Sequence, residues 1–190
     1  MNFFSNKICF YILLALAVNA FAQFTKFEFP SFPSAVNFAK LDTAELVLSS
    51  RATISSSLQV PKTVAVRVQQ GGRFNINSGK TLRFVGVFNA GPHQIFEGSG
   101  TVTFDSGAVR TVYPEWWGAS SDSTGDSGPA IQKALNAFPN GGEVYLSGTS
   151  KGYRVATGRL RFPSIKTVHL RGNGTNVYFS DRIRCSLSAA

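Results

Sequence analysis

The chain is poor in charge, in acid and in the residues that most often perform chemistry. Of its 190 residues only 15% are charged, with Asp and Glu numbering 10 against 19 Lys and Arg. Cysteine and histidine occur twice each. His93 and His169 lie far apart with no Cys or Asp at ligand spacing, which argues against a metal site. Ser127 lacks the Gly-x-Ser-x-Gly elbow that exposes a nucleophile. No catalytic constellation is visible. The shortage of Lys and Glu, beside 18 Gly and 17 Phe, disfavours helix bundles and favours β structure. A hydrophobic content of 43% excludes disorder throughout, and the length suffices for one domain with a core.

Long apolar runs are also missing. The longest, Ile8 to Val18, falls short of the roughly 20 residues that span a bilayer, and no later segment approaches it. It follows Met1 to Lys7, which carries one positive charge, and precedes Ala20-Phe21-Ala22, the small-residue box read by signal peptidase. The expectation is a signal peptide over 1–22, cleavage before Gln23, and a secreted, periplasmic or cell-surface protein with no membrane span. Cys9 leaves with the leader, so Cys185 stands alone and an apolar core, not an intrachain disulfide, must hold the fold.

Charge is unevenly placed. Residues 23–150 carry 10 basic and 9 acidic side chains, whereas 151–190 carry eight basic side chains against Asp181, a net of +7. Such a patch attracts polyanions, and secretion favours acidic polysaccharide over nucleic acid as the partner. The competing reading is a solvated basic face with no ligand.

Residues 23–44 are rich in Phe and Pro and show no sustained period, which predicts an irregular lead-in. Short alternating segments follow. Val64, Val66 and Val68 point one way and Arg67 the other; Phe74 and Ile76, Leu82 and Phe84, and Val102 and Phe104 repeat the theme. A period of two marks half-buried strands, and Gly-rich turns separate them. The linkers are too short for crossover helices. An antiparallel sandwich and a coil of stacked turns both fit.

One helix interrupts this pattern. Asp126 or Ser127 can cap it, Pro129 sits in its first turn, and Ala130, Ile131, Ala134, Leu135 and Phe138 form one apolar face. Pro139 to Gly142 stops it. Strands resume at Glu143–Leu146, Tyr153–Val155, Arg159–Phe162 and Lys166–Arg171. Stacked as neighbouring rungs, the last two would place Arg159, Arg161, His169 and Arg171 on one outward face, the candidate substrate-binding residues. No catalytic, cofactor-binding or metal-binding residue is assigned. Asp122 and Asp126 fit capping better than calcium, and Trp116 and Trp117 fit packing better than sugar stacking.

From Pro114 to Val177 the chain resembles the amino-terminal part of the pectate lyase superfamily domain. The resemblance rests on Trp117-Gly118-Ala119, the Asp122–Asp126 loop, Ala130-Ile131-Gln132-Lys133-Ala134, Gly141-Gly142, Val144-Tyr145-Leu146, Gly152-Tyr153-Arg154-Val155 and Val168-His169-Leu170-Arg171-Gly172. It implies an all-β, right-handed parallel β-helix, pectin lyase-like and incomplete here, with the short helix capping its amino-terminal end. It implies the start of a secreted protein acting on or binding acidic polysaccharide, as part of a lyase or hydrolase; a non-catalytic adhesion or binding module is the alternative, and a nonfunctional fragment the third reading. Calcium serves some members of the family, but no site for it is seen in this sequence. The chain departs from the family pattern at Gly125-Asp126-Ser127, where an acid pair is usual, and at Ser147, where Pro is usual. Enzymes of this fold carry their catalytic groups on later rungs, so these residues alone are expected to be inactive. The resulting organisation is 1–22 leader, 23–44 lead-in, 45–113 amino-terminal strand module, 114–180 start of the β-helix domain, and 181–190 off-pattern tail.

Overall fold

The computed structural model describes residues 8–13, 24–40, 43–147, 151–156, 159–162, 167–172, 174 and 177–179. The expected cleavage box at 20–22 and the tail at 181–190 lie outside them.

Two strands, β1 (Ile8–Leu13) and β2 (Phe24–Phe29), pair antiparallel ahead of helix α1 (Phe32–Ala39). Three successive turns follow, each of three strands. They are β3 (Ala44–Leu48), β4 (Arg51–Ile54) and β5 (Leu58–Val60); β6 (Val64–Val68), β7 (Arg73–Ile76) and β8 (Thr81–Phe84); and β9 (Phe88–Ala90), β10 (Phe96–Gly98) and β11 (Thr101–Phe104). The chain continues through β12 (Thr111–Val112), a 3₁₀ turn at Pro114–Trp117, β13 (Asp122–Asp126), helix α2 (Gly128–Asn136), β14 (Gly142–Leu146), β15 (Gly152–Val155), β16 (Val168–Gly172) and β17 (Val177–Phe179).

Every ladder after β1 is parallel within the solenoid, and strands pair with their counterparts in the next turn. Ala44 lies opposite Val64, Phe74 opposite Phe96, and Leu58 opposite Leu82, offsets of 20, 22 and 24 residues. The architecture is a parallel β-helix of about six turns with two short α-helices. An antiparallel sandwich is excluded.

The alternation dictates which side chains meet. In β6, β7, β8 and β11 the apolar partner at every second position is buried and its neighbours face outward. Because each turn repeats the register, inward residues stack on their own kind. Phe74 packs on Phe96 and Phe84 on Phe104 at centroid distances of 6.0 and 5.3 Å, and Phe88 closes the set at 4.6 Å from Phe84. The outward positions of stacked turns form ion pairs. Arg67 binds Glu45, Arg83 binds Asp105 through two bonds, Arg51 and Arg73 share Glu97, and Arg171 binds Glu143. Four of the chain's few acids are thus engaged between turns.

The lead-in is not wholly irregular. Ser31 Oγ accepts from the Ser34 amide to cap α1, and Phe32, Ala35, Val36 and Ala39 are buried. Phe32 meets Phe74 edge-on at 4.8 Å, so α1 closes the first turns. Two prolines in this short stretch read as breakers, yet Pro33 falls in the first helical turn, where no amide partner is lost.

Helix α2 occupies the expected residues but stands at the junction between the two sets of ladders. Three turn-to-turn bonds cross this junction: Phe88 N to Ala108 O, Ile95 N to Trp116 O and Phe104 N to Ala137 O, at 2.8, 3.0 and 2.8 Å. One apolar cluster runs from Phe32 to Val155, so the boundary expected at 113/114 is not a break in the core.

Candidate functional site: the outer face of β12, β14 and β16

The register of these three strands builds two outward rows. Thr111, Glu143 and His169 lie opposite one another in the first. Tyr145 and Arg171 lie opposite one another in the second, and Tyr113 extends that row from the end of β12. Between the rows, Val112 and Val144 point inward and are fully buried. The period of two therefore both anchors the strands and displays the polar residues.

Tyr113 and Tyr145 meet edge to face, with centroids 6.0 Å apart. Glu143 is held from two sides: the Thr111 hydroxyl donates to Oε1 at 3.0 Å and Arg171 Nη1 donates to Oε2 at 2.9 Å. The Arg171 bond and the Thr111 bond, helped by the charges of Arg171 and Arg110, hold the Glu143 carboxyl below the ordinary carboxylate range. The Arg171 guanidinium is correspondingly raised by the Glu143 bond and charge. A carboxylate kept ionised in this way is a poor proton donor, and both its oxygens already accept hydrogen bonds. The group fixes the cation of Arg171 over the sheet; it is not poised for acid–base chemistry. Next to it, a hollow of about 250 Å³ carries the face on to β9, lined by Asn89, Arg110, Thr111, Tyr113 and Trp116 among others.

The structure brings His169 and Arg171 together on β16 but sets Arg159 and Arg161 elsewhere. Residues 159–162 form no ladder. Gln132 on α2 takes their backbone instead: its Oε1 accepts from the Arg161 amide at 2.7 Å and its Nε2 donates to the Arg161 carbonyl at 2.9 Å. The expected strand is thereby replaced by a segment without regular structure, clamped to a helix. Leu160 packs against the core, Phe162 is exposed, and the two arginines are exposed beside α2.

The loop acids act as anchors. Asp126 Oδ1 accepts from the amides of Gly128 and Ala156 at 3.0 and 2.9 Å, tying the start of α2 to the end of β15. Asp122 Oδ1 accepts from the Thr124 amide at 2.9 Å, and the bonds from Thr124 and Ser120 pull its carboxyl down to about 2. Among the described residues no group of three or more His, Cys, Asp and Glu side chains is placed to hold a metal. Ser127 is buried and exchanges two hydrogen bonds with the Ser120 backbone, which occupies its hydroxyl. Trp116 is buried and donates to the Gly91 carbonyl at 2.9 Å.

Sequence reasoning missed Tyr113, Tyr145, Arg110 and Glu143. The alternation of Val144 and Leu146 could have marked Tyr145 and Glu143 as outward, but not their neighbours. It also missed a polar cluster between turns. Glu115 Oε1 accepts from the hydroxyls of Tyr153 and Ser147, while its Oε2 is buried with no hydrogen-bond partner among the described residues.

The chain matches no family model, no curated protein and no solved structure. The motif resemblance between Pro114 and Val177 therefore rests on its residues alone.

Proposed function

We propose that the chain is part of an exported β-helix protein of the pectate lyase superfamily type, and that it binds acidic polysaccharide along the outer face of β12, β14 and β16. The observation that carries this reading is the Tyr113–Tyr145 pair on a parallel sheet, with Arg171 in register with Tyr145 and Arg110 lining the same hollow as Tyr113. Tyrosine rings give an apolar face with a polar edge, suited to the CH face and hydroxyls of a sugar. Cations near the pair suit the carboxylates of a uronate polymer. Stacked turns repeat such positions along one axis, and a linear polymer repeats its charges likewise.

The reading is of binding. Glu143 is already ion-paired, and holding substrate and transition state equally well gives no chemical acceleration. Arg159 and Arg161 contribute only diffuse charge in this view. Export with loss of residues 1–22 is part of the same reading; β1 pairs on the edge of β3 away from β6, and the β3–β6 ladder of five pairs contains none of the residues lost.

Retardation of the exported protein in native gels containing polygalacturonate tests the proposal, with dextran as the neutral control. Binding should weaken as salt shortens screening to about 8 Å at physiological strength. Tyr145→Ala and Arg110→Ala should each reduce retardation, while Arg159→Ala with Arg161→Ala should change it little. Equal retardation by dextran, or retention of binding in both single variants, would reject this face as the polymer site.

A further inference from the structure

At the amino-terminal edge of the solenoid, two strands are placed for one position. The sheet order there is β2–β1–β3–β6–β9. β1 pairs with β2 through six register positions, and its Ile12 lies opposite Leu46 of β3. Both pairings are antiparallel, so β2 runs parallel to β3, in the same sense as the β3–β6 and β6–β9 ladders. The pairings also set the strands level. Thr25 and Leu46 both lie opposite Ile12, an offset of 21 residues. From β3 to β6 the offset is 20, and from β6 to β9 it is 22. β2 thus stands at the register of one more turn, held too far out by β1, by one strand spacing of about 4.8 Å.

The connection permits the closer position. Parallel neighbours need a crossover of about a dozen residues or more, usually with a helix. Residues 30–43 contain α1, which is fixed in the core by Phe32 against Phe74. Phe29, the last residue of β2, already packs against that core, with its ring 5.3 Å from that of Phe38. The β3 edge is defined by its backbone groups. Ala44 N donates to Thr63 O, and Leu48 O accepts from Gln69 N, so Ala44 and Leu48 turn their groups toward β6. By alternation the amides of Glu45 and Val47 point the other way, to the edge where β1 stands. A strand edge with open amides is a template for association.

We infer that β1 is a placeholder and that β2 takes its position in the exported protein. Once residues 1–22 leave, Phe24–Phe29 pairs directly and in parallel with β3 and becomes the first turn of the solenoid, with α1 completing it. This rests on the export reading above. Loss of β1 strips β2 of its six partners and opens the β3 edge at the same moment, and the two open edges agree in direction and register. Three phenylalanines in six residues suit this segment to a strand. Before cleavage the leader covers the β3 edge, and afterwards the chain covers it with its own segment. Neither form then offers that edge to a second copy.

Site-resolved amide hydrogen exchange on the exported protein, with its amino terminus sequenced and its mass in solution measured, tests the inference. The expected result is a monomer beginning at Gln23 in which Glu45 and Val47 exchange slowly, as Val66 does inside the sheet, where its amide bonds the Val87 carbonyl. Thr25→Pro and Phe27→Pro each remove an amide from β2. Each should speed exchange at Glu45 and Val47 about tenfold or more while Val66 stays protected. Fast exchange at Glu45 and Val47 beside a protected Val66 overturns the inference and leaves export standing. Protection that appears only as the protein dimerises, or that neither proline variant changes, does the same. Loss of Val66 protection in the protein beginning at Gln23 shows that the turns need β1, and also overturns it. An exported protein that keeps Met1 overturns both the export reading and this inference.

Discussion

Phe84→Ala is expected to be among the most damaging single substitutions in this protein. Phe84 is fully buried and sits at the centre of the aromatic stack, with ring centroids at 5.9 Å from Phe74, 4.6 Å from Phe88, 6.4 Å from Phe96 and 5.3 Å from Phe104. Truncation removes contacts within its own turn and with the next turn together. The surrounding residues are locked by their ladders and cannot collapse inward. The cost is therefore set by lost transfer energy plus an unrelaxed cavity, about 3–5 kcal/mol. Against a typical total of about 5–15 kcal/mol, that is a large share. Urea denaturation followed by the fluorescence of buried Trp116 reads the loss as a fall in midpoint. Arg83→Ala is the matched comparison: Arg83 is the adjacent outward residue and makes two bonds to Asp105, but both partners are at the surface. Exposed pairs contribute little because water and salt screen them, so its midpoint should move far less. A loss under about 1 kcal/mol for Phe84→Ala, or a loss equal to that of Arg83→Ala, would refute the view that the continuous aromatic core, not the ion-pair ladder, holds the turns together.

Two further outcomes follow from particular atoms. Gly86 lies where any Cβ would stand 2.0 Å from the Val64 carbonyl oxygen and 2.5 Å from that of Pro61, so Gly86→Ala must push successive turns apart. It should cost at least about 1–3 kcal/mol, read as a lowered melting temperature, and a variant as stable as the parent would contradict the close approach. Asp122, ordinarily ionising near 3.8, is drawn down to about 2 by its Thr124 and Ser120 bonds. A depressed carboxyl stabilises the fold fully above its ordinary value and loses that contribution as pH falls through about 2. Carbon-detected NMR should find the Asp122 midpoint near that value, and Asp122→Asn should remove the corresponding part of the acid limb; an unshifted midpoint would count against the turn.

Much of the fold was legible because β-helix turns obey a local rule. The period of two at Val64–Val68, Phe74–Ile76, Leu82–Phe84 and Val102–Phe104 gave burial directly, since one face of each strand must leave water. The α2 face at Ala130, Ile131, Ala134 and Leu135 was equally plain. Helix α1 was missed because its apolar spacing extends over only eight residues and begins among prolines. The segment Arg159–Phe162 misled for the opposite reason. Its alternation is strand-like, but the hydrogen-bonding partner within reach is the side chain of Gln132 and not a neighbouring strand.

The sequence by itself determined that the chain forms short strands around an apolar interior, where one helix interrupts them, and that its basic charge gathers toward the carboxyl end. Those properties depend on neighbours within a few residues. Only the tertiary structure decided that the strands stack in parallel, that Tyr113 meets Tyr145, that Arg171 pairs with Glu143, and that Lys151 and Arg154 share a cleft with Tyr178. Each of these depends on how many residues one turn takes to come round beneath the next. That number ranges from 20 between Ala44 and Val64 to 32 between Thr111 and Glu143. Loop length sets it, and period-two alternation carries no record of it, because a strand hides the same side chains whichever strand lies beside it.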